Sequence, residues 1–500
     1  MSVLVPVTVV ALGIAIPFLI QFMWVEKSLA GIPGPFLARY IDYWRVYHLI
    51  KGDYGEALEW WHTNHGKLIR TGPWHVSVGD AKEVPRVYQI NPLLRKGNMY
   101  KGLTAWCNGK NVGGLEGMTD EVEHSKVKKV IGSSFSWNSV LNYEPQIERC
   151  ATALVDHMEK LEVVDINEWF AYYAVDSMNN IAFSTDVGFM EHATDVGGTL
   201  RTVRAVTAGW IYTFAIPNVF ASVLWAASFF TGPSGPLVSL CLDLLNARSG
   251  EKQQPLPLSE GATKEEASDL LGVYLTARGL HPDLFSHERV IGMTFTTLLA
   301  GSDTTAYNLA WTLYYLLKDP SSLRCLQDEI QESARLGRLS DPPSLKDLSQ
   351  LPMLEAVTKE GLRCSMLMQP SLDRVVPRGG MDFCGRHIPA GVTVGCQQRV
   401  IHFDQGVYGP DASHFRPARW LEASDDRRKL MERCGLWFGS GKHTCIGQHF
   451  ARAKTMKVLA MMLMRLDIID VNPNATMVSG AASSTRGSTH PYFIRVRKRQ

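Results

Sequence analysis

The longest run of helically spaced apolar positions in this chain covers residues 286–317, with Ser286 placed to cap its start. A mostly apolar run over 450–466 predicts another helix, and residues 124–134 and the stretch from Lys359 to Arg363 predict two more. Arg70-Thr71-Gly72-Pro73 and Val76-Ser77-Val78-Gly79-Asp80 read as short strands and turns. Residues 100–115 hold Gly, Asn and Trp without periodicity, which predicts a loop. Residues 207–230 are rich in Trp, Phe, Ala and Val, but Pro217-Asn218 splits them into pieces too short to span a bilayer. They predict two helix ends and a loop that form an apolar roof. Residues 250–267 are a polar connector within the domain. The expectation is a mainly α chain with a small β region.

The N-terminus has its own pattern. Residues 3–25 carry no charge, and Thr8 and Gln21 are the strongly polar interruptions. As a helix they span roughly 34 Å, close to the hydrocarbon thickness. Pro6 and Pro17 are tolerable in such a helix. A cleaved signal peptide is the rival, disfavoured by the missing basic leader and the excess length. Lys27 follows the run and no Lys or Arg precedes it, so the body of the chain is expected on the cytosolic side. Ile32-Pro33-Gly34-Pro35 then forms a stiff turn. The division expected is an anchor over 1–30 and one large domain over 31–500.

Composition changes this picture little. Hydrophobic residues make up 45% and charged residues 20%, as in ordinary globular chains. A net charge of +2 and the lack of a basic cluster argue against a nucleic-acid partner. Nine cysteines, scattered and without CxxC pairs, fit a reducing compartment. Asn474-Ala475-Thr476 matches a glycosylation pattern that a cytosolic topology leaves unused.

The chemistry lies in Trp437-Phe438-Gly439-Ser440-Gly441-Lys442-His443-Thr444-Cys445-Ile446-Gly447. Gly441 and Gly447 allow tight turns beside a flat macrocycle. Cys445 stands just before a predicted helix, whose N-terminal amides favour a thiolate. Phe438 can shield the sulfur, and Lys442 and His443 can face anionic groups. Within the long helix, Ala300-Gly301-Ser302-Asp303-Thr304-Thr305 is poor helix material. Small residues there can leave a groove, a weakened ladder can admit a water, and hydroxyl and carboxylate neighbours can relay protons. Glu360 and Arg363 are three apart on one helix face, and Arg419 follows in Phe415-Arg416-Pro417-Ala418-Arg419-Trp420.

These landmarks, in this order, resemble the cytochrome P450 superfamily. Tyr408-Gly409-Pro410-Asp411 looks like filamentous-fungal members, including the pisatin-demethylase-like group. The resemblance covers essentially the whole chain. It implies the mainly helical P450 fold with a small β region, plus an N-terminal transmembrane helix in the endoplasmic reticulum membrane. It implies haem b with Cys445 as the iron ligand; thiolate ligation favours O–O cleavage. NADPH electrons would arrive through a separate NADPH–cytochrome P450 reductase, with cytochrome b5 as a further donor, since no glycine-rich nucleotide fingerprint is present.

The resemblance also implies residue roles. Asp303 and Thr304 are the acid–alcohol pair for proton delivery, beside Ala300. Arg374 and His443 face the haem propionates, and so would Lys128 and His124, where the family usually carries Arg and Trp. Glu360, Arg363 and Arg419 position the cysteine loop. Phe295, Leu299, Leu367, Met368 and Met477 line an apolar pocket for a lipophilic small molecule. The reaction implied is insertion of one oxygen atom, as hydroxylation, epoxidation or demethylation, in fungal secondary metabolism. A haem-thiolate isomerase or dehydratase and a non-catalytic haem protein are the rivals; neither needs Asp303 and Thr304.

Overall fold

Polar caps mark where the helices begin. Asp120 accepts from the backbone N–H groups of Val122 and Glu123 at 2.8 and 2.9 Å, so α2 (Glu121–Ile131) starts three residues earlier than periodicity predicts. Ser286 accepts from Arg289 N at 3.2 Å and opens α7 (His287–Lys318), within one residue of both expected ends. In the computed structural model, residues 23–91, 93–104, 106–107, 109–230, 236–249, 269–477 and 491–499 are described. The expected anchor over 3–25 falls almost wholly outside them, as does the 250–267 connector. Among the described residues no helix is long and apolar enough to cross a membrane.

The other helices that frame the site are α1 (Tyr43–Lys51), α3 (Glu144–Leu161), α4 (Ile166–Phe183), α5 (Thr199–Ala215), α6 (Pro217–Ala227), α8 (Pro352–Ser365) and α9 (Gln448–Arg465). Pro217 opens α6, where its missing N–H costs nothing, so the 207–230 roof is two helices joined at Ile216. Nearly every residue of α4 is buried, as is most of α9. Helices apolar all round belong inside. Together with α3 and α7 they form the large core, which contains Phe170, Phe183, Leu298, Leu309 and Met461.

The β region is small, as expected. Strands β1 (Leu68–Gly72), β2 (His75–Val78), β3 (Arg95–Lys96), β5 (Arg374–Val375) and β6 (Thr393–Gly395) form a five-stranded sheet in the order β1-β2-β6-β5-β3. Only β2 and β6 run parallel. A second sheet joins β4 (Val163–Asp165), β7 (Leu466–Asp470) and β8 (Phe493–Lys498) in the order β7-β8-β4. A second core of Val76, Val394, Tyr408 and Trp420 lies against the first sheet. Val25, Leu29 and Ile32 are buried in that same core, and Glu26 pairs with the buried Arg70.

Candidate functional site

The cysteine loop precedes α9 and is closed by its own backbone. Cys445 N donates to Phe438 O at 2.8 Å, and Gly439 N donates to Leu436 O at 2.9 Å. Gly441 has a φ of +66°, and a Cβ there would lie 1.9 Å from Tyr88 O. A neighbouring carbonyl therefore requires this glycine, a constraint that the sequence did not show. Phe438 is half-buried. Cys445 is exposed on one side, yet enough protein surrounds it that desolvation pushes its thiol up. The Gly447 N–H and the Lys128 ammonium oppose that shift.

Lys128 acts differently from its expected role. Its Nζ donates to Lys442 O at 2.9 Å and Thr444 O at 2.7 Å, so it braces the loop and places a positive charge near the sulfur. Glu360, Arg363 and Arg419 come together as expected, fully buried. Arg363 meets Glu360 through Nε at 2.9 Å and Nη2 at 2.7 Å, and Arg419 Nε reaches the same carboxylate at 2.9 Å. Trp420 Nε1 adds a donor at 2.9 Å that the sequence reading did not include. Burial raises the Glu360 carboxyl, but Arg363 and Arg419 together with the Arg416 N–H outweigh it and the net direction is down. The route from this cluster to the loop is His402. Arg363 Nη1 donates to His402 O at 2.8 Å, and His402 Nε2 accepts from Leu436 N at 3.0 Å. Its Nδ1 must then donate to Arg363 O, at 2.9 Å, which fixes the tautomer.

A positively charged cluster lies beside the loop. Register pairs Lys96 of β3 directly with Arg374 of β5. Arg374 donates to Tyr100 Oη at 2.8 Å and approaches His443 Nδ1 at 3.3 Å. His443 Nε2 lies 2.8 Å from Glu121 Oε2, so His443 is the donor there. Desolvation works against the Glu121 carboxylate, but His443 and Lys442 hold it down at about 2. Burial lowers His124 to about 3, helped by Lys96, and its buried Nδ1 has no partner. Burial brings Lys96 itself to about 7. Two cations opposed on adjacent strands are unfavourable unless an anion lies between them. The sequence offered no signal for Lys96, Tyr100 or Glu121, because only strand pairing and loop packing bring them here.

Glu121, His124 and His443 are also close enough to hold a metal ion. Lys96, Arg374, Lys128 and Lys442 surround them, and these charges oppose a dication while favouring carboxylates. Haem propionates fit; a divalent metal does not.

The central helix α7 carries the remaining expected residues. Ala300 is exposed although Leu298, Leu299 and Ser302 beside it are each 1% exposed. An open methyl in the middle of a buried helix marks a cavity wall. Thr304 Oγ1 donates to Ala300 O at 2.7 Å, Thr305 Oγ1 to Gly301 O at 3.1 Å and Ser302 Oγ to Leu298 O at 2.7 Å. These hydroxyls return to the helix backbone and α7 is continuous; the weak sequence is compensated locally. Asp303 is half-buried, and its charge adds to burial in raising the Tyr307 phenol. Leu299 and Phe295 are both buried in the large core. Leu367, Met368 and Met477 are half-buried and remain available as lining.

A profile of the cytochrome P450 family matches residues 111–478. The chain is 29% identical over 477 residues to cytochrome P450 monooxygenase gsfF of Penicillium aethiopicum, covering 93% of this chain and 91% of that one. A cytochrome P450 monooxygenase of Aspergillus terreus is 29% identical over 482 residues, covering 93% and 95%. The mpaDE monooxygenase of Penicillium brevicompactum is 30% identical over 469 residues, covering 91% of this chain and 54% of its own.

Proposed function

Because this chain belongs to the cytochrome P450 family, we propose that Cys445 is its haem-iron ligand and that it is a monooxygenase of fungal specialised metabolism. Haem b, held by a thiolate, supplies the activation of dioxygen, and electrons come from NADPH through a separate reductase. The single observation that carries the assignment is an open Cys445 beside a buried cluster in which Lys96, Arg374, Lys128 and Lys442 outnumber the Glu121 carboxylate and the His124 Nδ1 has no hydrogen-bond partner. Arg374, His443, His124 and the Tyr100 hydroxyl receive the propionates, and Lys96, whose Nζ donates to Leu115 O and Glu116 O, adds positive charge beside them. Lys128 braces the cysteine loop and lowers the cost of the thiolate. Thr304 and Asp303 hold and pass protons toward the ligand side of α7, next to Ala300. This pair favours oxygen chemistry over the isomerase and the non-catalytic alternatives, which have no use for it.

The substrate is a lipophilic small molecule contacted by Leu367, Met368 and Met477. The protein is anchored in the endoplasmic reticulum membrane through the apolar run that ends before the buried Val25, with its body cytosolic. Phe36, Tyr40 and Tyr43 before and within α1, and Val219, Val223 and Phe230 in and after α6, are exposed. Arg45 of α1 donates to Phe214 O of α5 at 2.8 Å, so α1 lies beside the helix that leads into α6, and we take the two exposed sets as one apolar face. That face supports a body resting on the bilayer. The test of the central assignment is Cys445→Ser. It should abolish the red-shifted Soret band of the reduced, CO-treated protein; a variant that keeps the band removes Cys445 from this role.

A further inference from the structure

The glycine inside the oxygen-side stretch of α7 is required from behind. A Cβ on Gly301 would lie 2.3 Å from Met178 Sδ and 3.0 Å from Met178 Cγ. Met178 belongs to α4, which packs on a face of α7 about 100° round the helix from Ala300, and is 4% exposed. A methionine can ordinarily swing away from an intruding methyl. This one is enclosed by the core, and Lys454 of α9, itself 1% exposed, donates to its sulfur at 3.6 Å. The acceptor of this buried amine is that thioether, and among the described residues no carboxylate pairs with it. The α4–α7 contact is a wedge in which sulfur sits where a side chain at 301 would be.

We infer that Met178, held by Lys454, is a positioning residue that sets how far α7 carries Ala300 and Thr304 toward the ligand side. The inference rests on the reading that Ala300 and Thr304 face the haem. Material added at 301 meets a fixed wedge, so α7 must shift away from α4 and carry Ala300 and Thr304 with it. A displacement of about 1 Å at a reacting site can cost up to roughly 100-fold.

Imidazole, which binds haem iron from the side Ala300 faces, is the probe. Gly301→Ala should weaken imidazole, read from the Soret shift of the haem-loaded protein, by about tenfold. Met178→Ala removes the contact that positions α7 and should shift the affinity by more than about twofold, and the double variant Met178→Ala/Gly301→Ala, which refills the seat from the other side, should return to within about twofold of the parent. Met178→Leu keeps the wedge volume and should keep the parent affinity. A double variant as weak as Gly301→Ala overturns the inference, and so does an unchanged affinity in Gly301→Ala. If Gly301→Ala fails to retain haem, recovery of haem content in the double variant supports the wedge and its absence refutes it. The Soret band of the reduced, CO-treated parent reports separately on Cys445, so the ligand assignment and the wedge fail by different readings.

Discussion

At the scale of single residues, the site separates groups by how much burial each ion pair has. Glu360, Arg363 and Arg419 are fully enclosed, so removing one charge strands the others. Glu360→Ala should cost roughly 3–5 kcal/mol and sharply reduce haem-loaded protein. Lys359, one position earlier, pairs with Glu432 at 2.6 Å near the surface, and Lys359→Ala should cost about 1 kcal/mol or less. Urea unfolding of the two variants distinguishes the cases, and equal losses would contradict the burial argument. Thr304 makes a different prediction. Its hydroxyl already returns to Ala300 O, so Thr304→Ala leaves the fold intact while removing a proton donor. Hydrogen peroxide formed per NADPH should rise at the expense of product by at least about tenfold, measured with reductase and a substrate chosen by its Soret shift. An unchanged ratio would remove Thr304 from proton delivery.

At the scale of elements, α9 carries an unusual burden. Lys457 is buried but paired with Glu144 at 3.0 Å and Glu148 at 2.6 Å, whereas Lys454 has a thioether. Burial brings the Lys454 amine to about 7. An unfolded lysine titrates near about 10.4, so between about pH 7 and pH 10.4 the unfolded chain holds the extra proton. Stability therefore rises with pH across that window and is lost as pH falls through it. Lys454→Met should flatten this dependence, read as urea midpoints at pH 7 and pH 9. A parent midpoint that does not rise between those values would show that the amine stays charged inside the core.

At the scale of the whole molecule, the N-terminal segment is not separable at residue 30 without loss. Val25, Leu29 and Ile32 fill the smaller core, and Glu26 holds Arg70, itself 2% exposed. Removing residues 1–22 should weaken attachment to microsomes and leave thermal stability near that of the full chain. Removing 1–30 should also lower the melting temperature by several degrees, since burying one large apolar side chain contributes about 1.5–3 kcal/mol. Flotation and thermal unfolding of the two truncations check both statements. Equal melting temperatures would mean that those side chains contribute little. The apolar face across α1, α5 and α6 should leave some attachment even after the first cut.

Much of this was legible in the residues. Periodicity and capping placed α7 and α9 to within about two residues, because helix signals are local. The spacing of Glu360 and Arg363 and the later Arg419 was readable, although only folding shows that their charges share one carboxylate away from water. Cys445 was legible because its loop carries several required residues together. The tertiary structure alone decided what surrounds it. Lys96 and Arg374 are 278 positions apart and meet through strand register. Lys128 turns to the loop carbonyls because α2 passes behind them. Gly301 reads as a groove for a ligand in the sequence and proves to be the seat of Met178, since a helix pattern gives the face of a residue but not its occupant. Residue types and spacings determined which chemistry this chain can hold. Long-range packing decided which atoms hold it, because contacts between distant segments leave no periodic trace.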